Sequence, residues 1–132
     1  MREAKISPEE YQQMLELNEQ IEQLNHYKKL LSQQLSEIEQ SISSLSEINN
    51  TSENSSILAP VSNGIFINVS LKDNNKIMVN VGANTVVEKS IPEAIKLLEK
   101  EKKGVADKLK EAEEVLVPLN AHLMEAYHRG SE

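Results

Sequence analysis

Much of what enzymes and secreted domains are built from is missing here. The 132 residues include no cysteine, no tryptophan and a single phenylalanine, Phe66. Without cysteine there are no disulfides and no thiolate chemistry, which fits a reducing cytoplasm. Aromatics make up only 3%, whereas a compact core normally draws on several for their large apolar area. The chain is therefore expected to be elongated or completed by partners. Bases are also scarce, with 14 Lys and Arg against 21 Asp and Glu, a formal net charge of −7. That balance lacks the basic footprint of phosphate-backbone binding, so no nucleic-acid partner is expected. The longest uncharged stretch, 54–71, contains Asn, Ser, Pro and Gly and cannot span a membrane. No apolar run follows the opening MREAKISPEE, so no signal peptide is expected and the reading is cytoplasmic.

What is present is a long period. A 3,4 spacing runs through Glu10, Met14, Leu17, Ile21, Leu24, Lys28, Leu31, Leu35, Ile38, Ile42 and Leu45, and from Met14 onward only Lys28 interrupts the apolar seam. A second run reads Ile91, Ile95, Leu98, Lys102, Val105, Leu109, Ala112, Leu116, Leu119, Leu123 and Ala126. A sustained 3.5-residue repeat keeps one stripe of a helix facing a partner helix, the mark of a coiled coil. Ser7-Pro8-Glu9-Glu10 and Ser90-Ile91-Pro92-Glu93 both carry start signals: serine as cap, proline in the first turn, glutamate three residues on. Asn49-Asn50-Thr51-Ser52 is a polar breaker that ends the first arm. Each arm, at about 40 residues, would extend roughly 60 Å.

Arms of matched length joined by one insert are expected to fold back as an antiparallel pair, with paired residue numbers summing to about 140. Lys28 then faces Ala112, where a small side chain leaves room for the lysine stem to reach water. The flanking positions of the first arm are mostly Gln, Asn, Ser and Tyr. They lack the opposed charges that select an intermolecular zipper partner, which favours the intrachain hairpin.

Between the arms lie four β-like runs, ILAPV (57–61), IFINVSL (65–71), KIMVNV (76–81) and TVVEK (85–89). Asn63-Gly64 signals a tight turn, both residues tolerating positive φ. Asp73-Asn74-Asn75 and Gly82-Ala83-Asn84 supply the other turns, giving two successive β-hairpins. Alternation places Ile65, Ile67, Val69 and Leu71 on one face, with Ile77, Val79 and Val81 doing the same in the next strand. Phe66, Asn68, Ser70, Met78 and Asn80 form a mixed opposite face. So small a sheet is marginal alone and needs another layer, and its free edges invite strand pairing. The insert therefore reads as an assembly module, its contact residues being Ile65, Phe66, Ile67, Val69, Leu71, Ile77, Val79 and Val81. The expected architecture is α+β: a single domain over 1–132, with coiled-coil helices at 7–50 and 91–128 and a double β-hairpin at 57–89.

No catalytic constellation emerges. His26 lies on the outer face of its helix, and His122 and His128 do not share a face. Without cysteine a zinc site is not expected. Glu9-Glu10 and Glu113-Glu114 read as solvated helix charge. Gly82-Ala83-Asn84 lacks the glycine repeat and the following Lys-Ser/Thr of a phosphate loop. No enzyme activity, metal or cofactor is expected. Off the seam, Tyr11, Leu15, Met124 and Tyr127 gather where the two arms would end together, with Leu30 and Leu97 as exceptions elsewhere. Exposed apolar residues of this kind mark a binding surface, and methionine suits promiscuous contact.

Helix, double hairpin, helix resembles the alpha-type subunits of the prefoldin family of archaeal and eukaryotic co-chaperones. The likeness is carried most specifically by ILAPVSNGIFINVSLKDNNKIMVNVGANTVVEKSIPEAIKLLEK, with its Leu-x-Pro-Val entry, Gly-x-Phe-Ile step, Lys-Asp turn and Val-Gly-Ala turn. Two hairpins match the alpha type; the beta type has one. The resemblance implies a hexamer of two alpha and four beta subunits, in which hairpins build a central double barrel and six coiled coils project from it. It implies capture of non-native polypeptides at the coiled-coil ends without ATP, and transfer to a group II chaperonin. Client contact would then fall on Tyr11, Met14, Leu15, Leu17, Leu123, Met124 and Tyr127. Pro118, inside the second arm, departs from this pattern, because an interior proline removes a helix hydrogen bond and bends the rod. A structural scaffold or tether with no client activity is the alternative.

Overall fold

Two serine caps set the frame of the fold. In the computed structural model, which describes residues 6–130, the backbone N–H of Glu10 donates to Ser7 Oγ at 3.1 Å and helix α1 runs Pro8–Asn49. The expected 1–132 unit thus has its first five and last two residues outside the described range. At the second entry the Glu93 N–H donates to Ser90 Oγ at 3.2 Å, and Ser90 Oγ donates in turn to Glu93 Oε1 at 2.9 Å. Helix α2 starts there and runs Ile91–Gly130. Each cap satisfies a backbone donor that the first helical turn cannot bond internally. Between the helices lie β1 (Ser56–Ser62), β2 (Ile65–Ser70), β3 (Lys76–Asn80) and β4 (Val86–Ser90). The helices are antiparallel and packed together, with the two hairpins inserted between them.

The chain divides into two compact units. One comprises residues 1–36 and 103–132, the other 37–102. In the first, the start of α1 packs on the end of α2. Its buried side chains are Ile21, Leu31, Val105, Ala112 and Leu116, and every one is a seam position. Lys28 behaves as its place opposite a small residue requires: Ala112 is buried, and the lysine ammonium reaches out to pair with the Glu113 carboxylate. In the second unit Ile38, Ile91 and Ala94 are buried, and Lys102 pairs with Glu39 at 3.5 Å. Both ion pairs lie one residue from the expected register. The helix pair forms within one chain and needs no second copy to cover its seam.

Pro118 does not interrupt α2. Leu116 before it is buried and Leu119 after it is half-buried, while Pro118 itself is exposed. The carbonyl that loses its partner, that of Glu114, belongs to an exposed residue. Water can satisfy it there, which is what makes an interior proline tolerable.

The register can be checked by reversing its charges. Glu113→Lys should lower the thermal midpoint by placing like charges together. Lys28→Glu combined with Glu113→Lys should recover most of the loss. Because Glu113 is half exposed, the coupling should be about 0.5–1 kcal/mol. Additive effects in this double-mutant cycle would show that the two residues do not meet.

The β strands form two separate two-stranded antiparallel sheets, β1 with β2 and β3 with β4. The first hairpin pairs Ile57 with Val69, Ala59 with Ile67 and Pro60 with Phe66, and then a bulge at Val61 brings Ser62 opposite Ile65. The tight turn expected at Asn63-Gly64 is present, and the bulge fixes its type. Of Asn63-Gly64 only Gly64 takes positive φ, at 75°, so the turn is not the double left-handed type and an extra residue in β1 absorbs the difference. In the second hairpin Gly82, Ala83 and Asn84 all have positive φ. The turn is closed by Val81 N–H donating to Thr85 O and Thr85 N–H to Gly82 O, both at 2.9 Å. The link between the hairpins is a tight Asx turn, with the Asn75 N–H donating to Asp73 Oδ1 at 2.8 Å. It is tied to the end of α1 by Asn74 Nδ2 donating to Thr51 O at 2.8 Å.

Candidate functional site

Two surfaces carry exposed apolar side chains out of proportion to their surroundings. The first lies on the hairpins. Directly opposed residues share a sheet face, so the register assigns the faces. In the first hairpin Ile57, Ala59 and Val69 are half-buried, whereas Leu58, Phe66 and Ile67 are exposed. In the second, Ile77, Val79 and Val87 share one half-covered face with Lys89, and Met78 and Val86 stand on the open face. Ile77 and Val79 line a groove with Leu45, Ala94 and Leu98, so the helix ends of this unit cover that face in part.

The eight residues expected to mediate assembly are divided by this arrangement. Val69, Leu71, Ile77 and Val79 are half-buried within the chain itself, while Ile65, Phe66, Ile67 and Val81 are exposed. Leu58 and Val61, together with Met78 and Val86 of the open face, belong with the exposed set, at 64%, 61%, 67% and 52%. Alternation alone could not show this, because it predicts which residues share a face but not which face the helices cover. The signal was present in ILAPV, where Leu58 and Val61 stand on either side of Ala59-Pro60 and the proline cannot donate to a neighbouring strand. In each two-stranded sheet every strand also has one edge that its own hairpin leaves unpaired. Apolar surface beside open edges is the combination that soluble monomers avoid.

The second surface lies in the unit that holds the start of α1 and the end of α2. Tyr11, Leu15, Met124 and Tyr127 are exposed there, Met124 most of all at 68%. Met14, Leu17 and Leu123, the remaining residues expected to contact clients, are half-buried in the seam. Met14 and Leu17 meet His122 and Ala126 around a depression of about 30 Å³, room for a single water. No ligand-sized pocket is formed at that depression, so contact with anything larger would have to use the exposed side chains as an open patch. Val115 and Val117 extend the apolar surface along α2, at 49% and 65% exposed. Among the described residues no group of three or more His, Asp or Glu side chains could hold a metal ion, and no helix is long and apolar enough to cross a membrane.

Comparison with known proteins places the chain in a family. Residues 17–132 match the model of the prefoldin subunit family. A prefoldin subunit alpha from Thermofilum pendens is 31% identical over 98 residues, 74% of each chain. A prefoldin subunit alpha from Pyrococcus horikoshii is 34% identical over 80 residues, 61% of this chain and 54% of that one. Among solved structures, filamentous PFD from Methanocaldococcus jannaschii, determined by cryo-electron microscopy, superposes with a TM-score of 0.77 over 89% of this chain and 98% of its own, at 23% identity.

Proposed function

We propose a function from one premise: the chain belongs to the prefoldin family and is of the alpha type. The family is one of chaperone subunits, not enzymes. This chain acts as a holdase subunit. It joins beta-type subunits, two alpha with four beta, through its hairpins. It binds non-native polypeptides through Tyr11, Met14, Leu15, Leu17, Leu123, Met124 and Tyr127, keeps them from aggregating in the cytosol without ATP, and releases them to a group II chaperonin. The observation that carries this reading is the cluster of exposed Tyr11, Leu15, Met124 and Tyr127 where the helix pair begins and ends. On helices whose exposed faces are mostly Glu, Gln and Lys, apolar groups in water add no stability. Weak contacts of this kind become useful when several arms hold one client, since linkage turns later contacts into intramolecular ones.

The test is light scattering of a denatured client with the assembled complex. Replacing Tyr11, Leu15 and Met124 by Ser should reduce protection by roughly a third or more, this subunit contributing two of the six arms. Assembly should persist, because none of the three belongs to a hairpin. ATP should change neither result. Full protection by the substituted complex would leave this chain a structural tether.

A further inference from the structure

Leu97 belongs to neither the helical seam nor the patch around Tyr11 and Met124. It lies on α2 within the hairpin-bearing unit, away from the seam, and is 50% exposed. It lines an open hollow of about 480 Å³ with Lys89, Glu93, Lys96 and Lys100. Leu97 also lines the groove between the second hairpin and the helices, with Leu45, Ile77, Val79 and Glu101. It therefore stands on the ridge between a basic hollow and the groove beneath the second hairpin.

The charge here opposes that of the molecule. The chain as a whole is at −7, yet the first hollow is ringed by three lysines and one glutamate. Glu93 accepts the hydroxyl hydrogen of Ser90 at the helix cap and keeps its charge, so the three lysines leave the hollow net positive. The ion pairs among the described residues use Lys28, Lys76 and Lys102, so Lys89, Lys96 and Lys100 are left for an external anion. Lys96 and Lys100 are four apart and Leu97 lies between them, on the side of α2 turned away from the seam. Lys89, at the end of β4, adds a third charge from a different element.

We propose that this surface docks an acidic amphipathic polypeptide segment, one whose carboxylates meet Lys89, Lys96 and Lys100 while its apolar side chains cover Leu97. Three lysines on a strongly acidic chain are too few for a nucleic-acid footprint, and the apolar ridge at their centre suits a side chain better than a phosphate. Such a surface would select the segment by its charge pattern. Client capture by scattered apolar contacts needs no such pattern, so the two activities can be separated.

The experiment uses the assembled complex and a fluorescent peptide of alternating Glu and Leu, with a Lys-and-Leu peptide of equal length as control. Anisotropy should show binding of the acidic peptide, weakened by salt, and no comparable binding of the basic one. Lys96→Glu with Lys100→Glu should weaken binding about tenfold, from two lost pairs and two new repulsions. Leu97→Ser should weaken it by a salt-insensitive factor. Both variants should keep full protection of the denatured client, which distinguishes this site from the client patch. The proposal is overturned if the acidic peptide binds the double variant as tightly as the parent, if the basic peptide binds equally well, or if the isolated chain binds and the complex does not, which would make the surface a subunit interface.

Discussion

Ile67→Asp is expected to abolish assembly with beta-type subunits while leaving the isolated chain folded. The two halves of this prediction have different physical origins. Ile67 is 49% exposed in the isolated chain, so a carboxylate there remains hydrated and costs the monomer little; surface changes of this kind stay within about 0.5 kcal/mol. In an assembly whose hairpins close over one another the same carboxylate would be buried without a partner, a cost of several kcal/mol per site. That exceeds what a modest interface can absorb, and with two alpha subunits, as proposed, each complex would hold more than one copy of the site. Size-exclusion chromatography with the beta-type partner should show only small species, with unchanged far-ultraviolet circular dichroism. Phe66→Asp, on the other face of the same strand, makes the informative comparison. If sheets stack on the face of Ile65 and Ile67, the Phe66 variant should assemble at least in part. Normal assembly of the Ile67 variant would remove the hairpins from the interface.

The open hairpin surface also shows where sequence reading reaches its limit. The helical seam could be read position by position. From Met14 and Ile91 onward each seam residue is buried or half-buried, including Lys28 and Lys102. This works because a coiled coil is a local code: the period decides which stripe faces inward whatever the partner. The caps at Ser7 and Ser90 are local in the same sense. Hairpin existence was also readable, since Gly64 and Gly82 mark the turns with their positive φ. Which hairpin face is covered was not, because that depends on where the helix ends meet the strands. Ile65 and Ile67 share the alternation of Val69 yet are exposed, while Val69 is half-buried. Val61 escaped because a bulge breaks the period of two. For the candidate client surface, the off-seam apolar residues were identifiable by exclusion from the heptad. Leu97 was visible by the same rule, but its lysine neighbours become a site only when β4 and α2 bring Lys89 beside Lys96.

The strongest effect on stability is expected from polar substitution in the seam. Ile38 and Leu116 are 5% and 3% exposed and belong to different compact units. Replacing either by Asn removes a buried aliphatic side chain, at about 2–5 kcal/mol, and leaves an amide facing apolar neighbours, at about 1–3 kcal/mol more where no partner reaches it. Because part of the amide can turn toward water along a two-helix seam, about 3–4 kcal/mol per site is the reasonable total. For a chain of this length that corresponds to a thermal midpoint lower by roughly 10–15 °C. Gln40→Asn, on the exposed side of α1, should change stability by less than about 0.5 kcal/mol and controls for the presence of Asn in a helix. Since Ile38 and Leu116 lie in separate units with no shared neighbours, the double variant should lose close to the sum of the single effects if the chain unfolds as one cooperative body. Should the two units unfold separately, Leu116→Asn would shift one helical transition and leave the other in place. Thermal melts followed by circular dichroism read both the size of the loss and the number of transitions. A loss below about 1 kcal/mol at both sites would mean that the helix pair is not held together by this seam.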